Sequence, residues 1–354
     1  MNNSGIRTER VTHCPVCGTK KRNVSYEGLS DRVFGAPGEW SLKRCQDCGL
    51  LFSDPRPTEE DIGKIYATYY THSVKAPPSS PSRLLREYVR RGYLAFRFGY
   101  AQAKVKPLQR LLSRLAYLHP EERQMIESSV MYLPGRDRGR VLDVGSGAGE
   151  TMKELRRLGW EVEGVDFDAD AVEVARRSYG LDVRLGTLES QNYPSNRFDA
   201  VVMSHVIEHV HHPVEFLSEC RRVLKPGGRL IVITPNTASL GHRLFGVAWL
   251  PLDPPRHLVL FSRKTLALAA QAAGLSRATV ETTVRGAYGI FIESRRIRRS
   301  SPAVGQPPSS MVDKFSGHAY QYLLSLVLLF DSSAGEELLM VATKEDDGAI
   351  PPLT

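Results

Sequence analysis

The stretch RVLDVGSGAGETMKELRRLGWEVEGVDF, residues 140–167, decides the fold of this chain. A short apolar segment leads into the glycine loop GSGAG, which opens a helical pattern, and a second apolar segment then ends near Asp166. This order is typical of a strand, a tight turn, a helix and a second, parallel strand. Because ligands of parallel sheets bind beyond the carboxyl ends of the strands, we expect the glycine loop and Asp166 to share a binding site.

The same alternation continues along the chain. Further apolar segments are DVRLG at 182–186, FDAVVMSH at 198–205 and RLIVITPN at 229–236, and helical patterns occupy about 168–180, 213–224 and 263–273. Alternating strands and helices predict an α/β fold with a parallel, Rossmann-like sheet covered by helices on both faces.

The residues around the glycine loop indicate which ligand it takes. A dinucleotide fingerprint needs a third glycine, but Glu150 stands at that position. Asp143, just before the loop, is unfavourable beside a pyrophosphate and suits a ligand that carries an amino group and a sulfonium. Asp166 is placed to accept both ribose hydroxyls, and Phe167 can lie against an adenine ring.

Four motifs in this order resemble class I S-adenosylmethionine (SAM)-dependent methyltransferases: VLDVGSGAG at 141–149, VEGVDFD at 162–168, FDAVVMSHVIEHV at 198–210 and RVLKPGGRLIVITPN at 222–236. The resemblance implies a seven-stranded sheet whose last strand, at 337–344, is antiparallel. It also implies that Asp166 binds the ribose and Phe167 the adenine, while Leu188 is a candidate backbone donor. By the same resemblance, the methionine part of SAM is lined by Asp143, Gly145, Ser146 and Gly147, and Ser204 and His205 face the same cleft.

Four of the five cysteines form two C-x-x-C pairs, each followed by glycine: Cys14, Cys17, Cys45 and Cys48. Two such turns can present four thiolates to one ion, so we expect a structural zinc ribbon; two redox pairs are the alternative. Cys220 stands alone in a helical pattern and is expected to be a small buried hydrophobe. Because so small a ribbon has little core, we expect its metal to supply its folding free energy.

The ribbon, together with CGLLFSDPRPTEEDI at 48–62, resembles the N-terminal extension of bacterial methyltransferases of sugar, polysaccharide and secondary-metabolite pathways. We therefore divide the chain into a zinc ribbon at 1–55, a helical basic linker region at 56–138, a SAM-binding methyltransferase core at 139–285, and a last segment at 286–354. That last segment is expected to hold a basic, Pro/Ser-rich loop at 293–310, an apolar helix at 318–330 and the final strand.

A histidine-rich stretch, SHVIEHVHHP at 204–213, and a later His257 leave three interpretations open. In the first, Glu208, His209 and His257 only shape the cleft. In the second, one histidine is the general base for the acceptor, His257 before His209. In the third, the cluster binds a divalent metal, as in quinone-precursor and small-RNA methyltransferases with an E-x-x-E-H arrangement. His205 replaces the first glutamate here, which disfavours magnesium.

The segment 82–118 is strongly basic, with Glu87 as its one acidic residue. It predicts helices separated at Pro107 and a surface for an anionic partner, such as membrane lipid; a linker helix with a solvated basic face is the alternative. The apolar helix at 318–330 is either a lid or membrane-touching element, or a core helix over the sheet edge. We do not expect nucleic-acid binding, because the ribbon lacks basic, aromatic-rich knuckles.

The composition sets the remaining limits. The chain has 354 residues, 42% of them hydrophobic, and a net charge of +8. No apolar run reaches about 18 residues and the first residues lack a secretory signal, so we expect a cytoplasmic protein, with contact to the inner face of the membrane as an option. The sequence thus predicts SAM-dependent methylation of a small hydroxylated or carbon-acid acceptor, a sugar, glycan or secondary-metabolite intermediate, lipid-linked ones included.

Other functions remain open at this point: a quinone-precursor O-methyltransferase, an RNA or protein methyltransferase, and a zinc-binding scaffold without activity. The sequence does not predict an oligomeric state.

Overall fold

The structure is a computed structural model that describes residues 5–66, 81–100, 106–114, 116, 119–299 and 310–346. The chain divides into two compact units. The first unit comprises Met1–Tyr70, Ser204–Ser218 and Val232–Ala342, and the second comprises Thr71–Met203, Glu219–Ile231 and Thr343–Thr354. Each unit therefore combines segments that are distant in sequence, and the fourfold division of the chain made above stays a prediction.

A seven-stranded sheet follows the order β12-β13-β10-β9-β6-β7-β8. Its strands are β6 (Arg140–Val144), β7 (Glu161–Asp166), β8 (Val183–Leu185), β9 (Phe198–Ser204), β10 (Leu224–Pro235), β12 (Thr279–Thr283) and β13 (Glu337–Thr343). β6 pairs in parallel with β7 and β9, β7 pairs in parallel with β8, and β12 pairs with β13 in antiparallel fashion. The predicted α/β fold and its antiparallel last strand are confirmed.

Ten α-helices are present in the described part of the chain. They are α1 (Pro81–Phe98), α2 (Pro107–Ser113), α3 (Pro120–Ser128), α4 (Glu150–Arg157), α5 (Ala169–Tyr179), α6 (Pro213–Val223), α7 (Leu240–Phe245), α8 (Arg263–Ala272), α9 (Ala287–Arg299) and α10 (Met311–Val327). Helices α1 and α2 lie on the two sides of the predicted break at Pro107. None of the helices in the described ranges combines the length and the hydrophobicity needed to cross a membrane.

The cysteine-rich region, residues 5–66, contributes to two small sheets within the first unit. β1 (Thr8–Glu9) pairs with β5 (Arg56–Pro57), and a four-stranded antiparallel sheet has the order β11-β4-β3-β2, with β2 (Arg22–Leu29), β3 (Trp40–Cys45), β4 (Leu51–Ser53) and β11 (Val259–Leu260). Trp40 and Leu51 share one hydrophobic cluster with Trp249, Leu252 and Leu260. The expectation of a ribbon with little core is therefore wrong, because residues from far along the chain complete that core.

The basic loop expected at 293–310 is also corrected. Helix α9 continues to Arg299, and residues 300–309 lie outside the described part of the chain. Ile290, Ser294 and Ile297 are buried at helical spacing, so the arginines between them occupy the outer face of a packed helix. Runs of arginine suggested a loop only because this apolar periodicity was overlooked.

Candidate active site

The glycine loop connects β6 to α4 in the second unit, as predicted. Gly147 and Gly149 have φ angles of 51° and 84°, in the left-handed region that favours glycine. A Cβ at Gly149 would lie 2.4 Å from Leu181 Cδ1, whereas one at Gly147 would meet nothing within 4 Å. The loop therefore packs tightly on one side and leaves open space at Gly147.

Asp166, the last residue of β7, holds this loop in place. Its Oδ2 accepts a hydrogen bond from the Gly147 amide at 2.7 Å, and its Oδ1 accepts one from the Asp168 amide at 2.9 Å. Gly145 in turn donates its amide to the Val165 carbonyl. Each carboxylate oxygen keeps a second acceptor direction, so Asp166 can still accept hydroxyl groups from a ligand.

Two further polar groups at this loop are buried and suited to a cationic ligand. Asp143 is buried, and burial, reinforced by the charge of Asp166, raises the pKa of its carboxyl to about 8. The Ser146 hydroxyl is buried with no hydrogen-bond partner among the described residues. A buried carboxyl and an orphaned hydroxyl beside an open glycine fit the ammonium and carboxylate of an amino-acid ligand, and hence the methionine part of SAM.

Phe167 and Leu188 follow at the carboxyl ends of β7 and β8. Phe167 is exposed, which leaves its ring accessible to a flat ligand, whereas Leu188 is buried. Gly186, two residues before Leu188, donates its amide to the Asp166 carbonyl. The structure thus places seven of the predicted cofactor residues at one edge of the parallel strands β6, β7 and β8. They are the six between Asp143 and Phe167, and Leu188; their individual roles stay predictions.

Ser204 and His205, predicted to contact SAM, and the three predicted catalytic residues all lie in the first unit. Ser204 ends β9 and is half-buried, and His205 follows with a φ of 57°, unusual for a residue other than glycine. Glu208 and His209 belong to the 3-10 turn Ile207–His209. One ligand atom from each of Glu208, His209 and His257 lies within 4.8 Å of the others. The structure therefore brings together the three residues predicted as catalytic.

Backbone carbonyls determine the tautomers of the two histidines. Nδ1 of His209 lies 3.0 Å from the Arg256 carbonyl, and Nδ1 of His257 lies 2.7 Å from the Pro251 carbonyl. A carbonyl only accepts, so Nδ1 carries the proton in both rings and Nε2 keeps its lone pair. Burial, and then the nearby His257, lowers the pKa of His209 to about 4, so His209 is neutral at pH 7.

His205 differs from these two histidines because carboxylates bind both of its ring nitrogens. Its Nδ1 lies 3.1 Å from Glu208 and its Nε2 lies 3.0 Å from Glu337, which is also paired with Arg285. Burial alone would lower the pKa of His205, but the two carboxylates outweigh it and raise this pKa to about 10. Because both ring nitrogens face carboxylate oxygens that only accept hydrogen bonds, the imidazolium form of His205 is favoured, and that form cannot ligate a metal. Its predicted contact with SAM stays a prediction.

Glu208 is the buried anion of the cluster. Burial would raise the pKa of its carboxyl, but the hydrogen bond and charge of His205 outweigh this and lower the pKa to about 2. Its second oxygen accepts a hydrogen bond from the Thr234 hydroxyl at 2.8 Å. The cluster thus contains one carboxylate and two Nε2 lone pairs, a set that can accept a proton or bind a divalent cation.

Three residues that support the cluster were missed by the sequence reasoning: Tyr66 and Asp31, from the N-terminal part of the chain, and Arg256. The Tyr66 hydroxyl lies 2.9 Å from His209 Nδ1. Arg256, fully buried next to His257, pairs with Asp31 at 2.8 Å and with Asp253 at 2.9 Å. No spacing pattern connects residues 31 or 66 with residue 256, and the one sequence signal was an arginine beside a candidate catalytic histidine.

The four predicted zinc ligands converge. The Sγ atoms of Cys14 and Cys48 are 3.6 Å apart, those of Cys17 and Cys45 are 3.5 Å apart, and all four lie within 4.8 Å of one another. A tetrahedral zinc–thiolate site places its sulfurs about 3.8 Å apart, so this set fits zinc. Cys220 is fully buried, as predicted.

Comparison with known proteins places this chain in a family. The model of the family described as "Methyltransferase domain" matches residues 103–280, which is 280 − 103 + 1 = 178 of the 354 residues. The ubiquinone biosynthesis O-methyltransferase of Mus musculus mitochondria is 34% identical over 131 residues, 34% of this chain and 35% of that protein. The enzyme of the same name from Bradyrhizobium sp. (strain ORS 278) is 35% identical over 141 residues, 38% of this chain and 55% of that protein. The match thus spans about a third to a half of these relatives.

Solved structures also resemble the chain at low identity. A SAM-dependent methyltransferase of Thermotoga maritima, a possible histamine N-methyltransferase, has a TM-score of 0.42 and 22% identity, covering 74% of this chain and 97% of that one. A SAM-dependent methyltransferase from Archaeoglobus fulgidus has a TM-score of 0.40 and 17% identity, covering 71% and 99%. Because the family model matches half of its residues, the chain belongs to the methyltransferase domain family.

Proposed function

We propose that this protein transfers the methyl group of SAM to a hydroxyl oxygen of a small acceptor, and that Glu208, His209 and His257 activate that hydroxyl. The observation that carries the proposal is the convergence of these three side chains, in which carbonyl contacts at both Nδ1 atoms leave a lone pair on Nε2 of each histidine. Methyl transfer from a sulfonium needs little acid–base help in itself, so a cluster of this kind is of use mainly when the acceptor must lose a proton.

SAM supplies a methyl group that is already activated. On this side of the reaction, the Asp143 carboxylate would pair with the ammonium of SAM and the Ser146 hydroxyl would hydrogen-bond to its methionine part. Asp166 would accept the ribose hydroxyls, and the exposed ring of Phe167 would lie against the adenine. Leu188, Ser204 and His205 complete the proposed cofactor contacts.

On the acceptor side, His257 is the base that accepts the proton of the acceptor hydroxyl. As the acceptor oxygen bonds to the methyl carbon, the carbon–sulfur bond breaks and its electron pair stays on sulfur. The hydroxyl proton passes to Nε2 of His257, whose charge Asp253, 3.9 Å away, would help to stabilise. His209 is the weaker candidate because burial keeps its pKa near 4, well below the pH at which a base is needed.

The same cluster supports a second mechanism, in which a divalent cation lowers the pKa of the acceptor hydroxyl. Two neutral imidazoles and one carboxylate favour zinc, iron or manganese over magnesium, which prefers oxygen ligands. Because His205 is an imidazolium bound by Glu208 and Glu337, it would not add a fourth ligand. Whether metal is required separates this mechanism from catalysis by His257 alone.

For the acceptor, we propose a hydroxylated aromatic ring first and a sugar hydroxyl second. A phenol has a pKa of about 10 and is deprotonated by an imidazole far more readily than an alcohol. The relatives named for ubiquinone biosynthesis are O-methyltransferases, which supports the aromatic class. The sugar or glycan class rests only on the resemblance of the N-terminal region to that of bacterial methyltransferases from such pathways. Lipid-linked acceptors of either class are part of the proposal.

Two further proposals concern partners. The four cysteines would hold a structural zinc ion. The basic segment 82–118 would contact an anionic membrane, since in its described part Leu84, Leu85 and Phe96 are exposed among arginines. We propose no nucleic-acid partner.

The function is tested with zinc-loaded protein, labelled SAM, and catechol or hexose acceptors. His257→Asn should lower kcat on the preferred acceptor by at least about 100-fold, since it removes the base. Affinity for S-adenosylhomocysteine should not change. His212→Asn, an exposed neighbour outside the cluster, is the matched control and should retain full activity.

Three results would contradict or redirect this proposal. An active His257→Asn enzyme would overturn the base assignment. Activity that is lost when the cluster is stripped of divalent ions, while the cysteine site keeps its zinc, and that returns with added manganese, would favour the metal mechanism. Methylation of nitrogen or carbon acceptors but of no hydroxyl would overturn O-methylation.

A further inference from the structure

Helix α10 presents an apolar face to solvent. The exposed residues share one side of the helix, because they recur at spacings of three, four and seven residues. They are Met311, Val312, Phe315, Tyr322, Leu323 and Leu326, followed beyond the helix by Leu329 and Phe330. Large apolar side chains scattered singly are common on protein surfaces, but a continuous stripe of this kind marks an interaction surface.

The opposite face of α10 fixes its orientation. Tyr320 and Leu324 are buried in a cluster with Val284, Ala287 and Ala334, and the Tyr320 ring stacks on Phe291 of α9. A Cβ at Gly317 would lie 2.9 Å from the Tyr288 ring, so the two helices are in close contact there. Because one face of α10 is packed in this way, its apolar stripe cannot turn inward without breaking the packing against α9.

The acidic residues next to the stripe, Asp313 and Asp331, are paired with arginines, Asp331 with Arg243 at 2.7 Å. The one acidic residue of α10, Asp313, is only 8% exposed and pairs with Arg299 at 3.0 Å and Arg295 at 3.8 Å. Arg298, near the end of α9, and Lys314 are exposed. An apolar stripe flanked by cations is the pattern of helices that lie in the interface of a membrane with anionic lipids.

We propose that α10 is a membrane-docking helix, which lies flat on an anionic bilayer with its apolar stripe among the acyl chains. Lipid phosphates would neutralise Arg298 and Lys314, and the acyl chains would remove the apolar stripe from water. One partner thus accounts for both the exposed cations and the exposed apolar residues. A second copy of this chain would cover the stripe but would not bring anions to these cations. The proposal goes beyond methyl transfer and does not depend on the acceptor.

The test is flotation of the full-length, zinc-loaded protein with vesicles of phosphatidylcholine alone or with phosphatidylglycerol. We expect binding to the anionic vesicles that weakens as salt is added. The double variant Phe315→Ser/Leu326→Ser removes two side chains that are 77% and 59% exposed. It should weaken binding at least about tenfold, because two apolar groups no longer leave water.

A matched control comes from two exposed apolar residues outside α10 and outside the basic segment, Val24 of β2 and Met125 of α3, which are 46% and 50% exposed. Val24→Ser/Met125→Ser removes the same kind of surface and should leave vesicle binding unchanged. Zinc content and affinity for S-adenosylhomocysteine establish that each variant is folded. Lys314→Glu/Arg298→Glu should lose binding to anionic vesicles while keeping the stripe.

Three outcomes would overturn the proposal. The first is that the wild-type protein does not float with any vesicle. The second is that Leu84→Ser/Leu85→Ser loses binding while the α10 variant keeps it, which would assign the membrane contact to the basic segment. The third is that light scattering shows a dimer, which the α10 variant converts to a monomer, and that no vesicle binding is seen. This result would assign the stripe to a second copy of the chain.

Discussion

At the scale of single residues, burial sets the chemistry of Asp143. A carboxyl that is removed from water favours its neutral form, and the neighbouring Asp166 adds to this effect. The pKa of Asp143 therefore rises to about 8, although a ligand ammonium would favour the charged form. Cofactor binding and proton release should be coupled at this residue.

We expect the affinity for S-adenosylhomocysteine to rise with pH up to about 8. Below that pH the Asp143 carboxyl is protonated before binding and must lose its proton, so affinity should fall by up to about tenfold per pH unit. Calorimetric titration in buffers of different ionisation enthalpy measures the released proton. Asp143→Asn should bind S-adenosylhomocysteine more weakly, and its affinity should no longer change with pH through deprotonation of this residue. An unchanged pH profile in Asp143→Asn would contradict the coupling.

At the scale of secondary-structure elements, buried ion pairs and strand pairing connect the cysteine-rich region to the acceptor cluster. Leu51 and Phe52 of β4 pair with Leu260 and Val259 of β11, two residues beyond His257. The fully buried Arg256, whose carbonyl binds His209, depends on Asp31 for one of its two counter-ions. The loop after β2 thereby supports the segment that carries His257.

Asp31→Asn should destabilise the protein by about 3 kcal/mol, because it leaves the buried Arg256 with one carboxylate instead of two. Chemical denaturation, fitted for the midpoint and the slope of the unfolding transition, measures this loss of unfolding free energy. Glu60→Gln is the control, since the Glu60 side chain is 70% exposed and 3.9 Å from Arg7. This surface change should cost under about 0.5 kcal/mol. Equal stability of the two variants would show that Arg256 does not depend on Asp31.

Zinc removal should abolish methyl transfer but leave cofactor binding intact. We expect chelation, or Cys17→Ser, to lower thermal stability and abolish methyl transfer, because Tyr66 and Asp31, which contact His209 and Arg256, are anchored through the cysteine-rich region. S-adenosylhomocysteine should still bind, because the glycine loop and Asp166 belong to the second unit. Zinc stoichiometry, calorimetry and labelled-SAM assays give the three readouts. Full activity in zinc-free protein would contradict a supporting role for the metal.

At the scale of the whole molecule, local patterns predicted the elements well and their partners poorly. The strand, glycine loop and helix at 140–157 follow from apolar periodicity and from glycines with left-handed φ angles, so they could be recognised in sequence. The helix α9 was missed because its buried positions lie between arginines. The ribbon was expected to have little core because Trp249 and Leu260, which complete its core, are about 200 residues away.

The sequence by itself determined the α/β sheet, the four converging cysteines and the cofactor loop, since each depends on spacing within a short stretch of chain. It also indicated Glu208, His209 and His257 as chemically active groups. Only the tertiary structure decided that Glu208, His209 and His257 converge with both Nδ1 atoms next to carbonyls, that His205 lies between two carboxylates, and that α10 exposes its apolar face. These features depend on carbonyls, carboxylates and packing surfaces from distant segments, and no local pattern records which distant groups will meet.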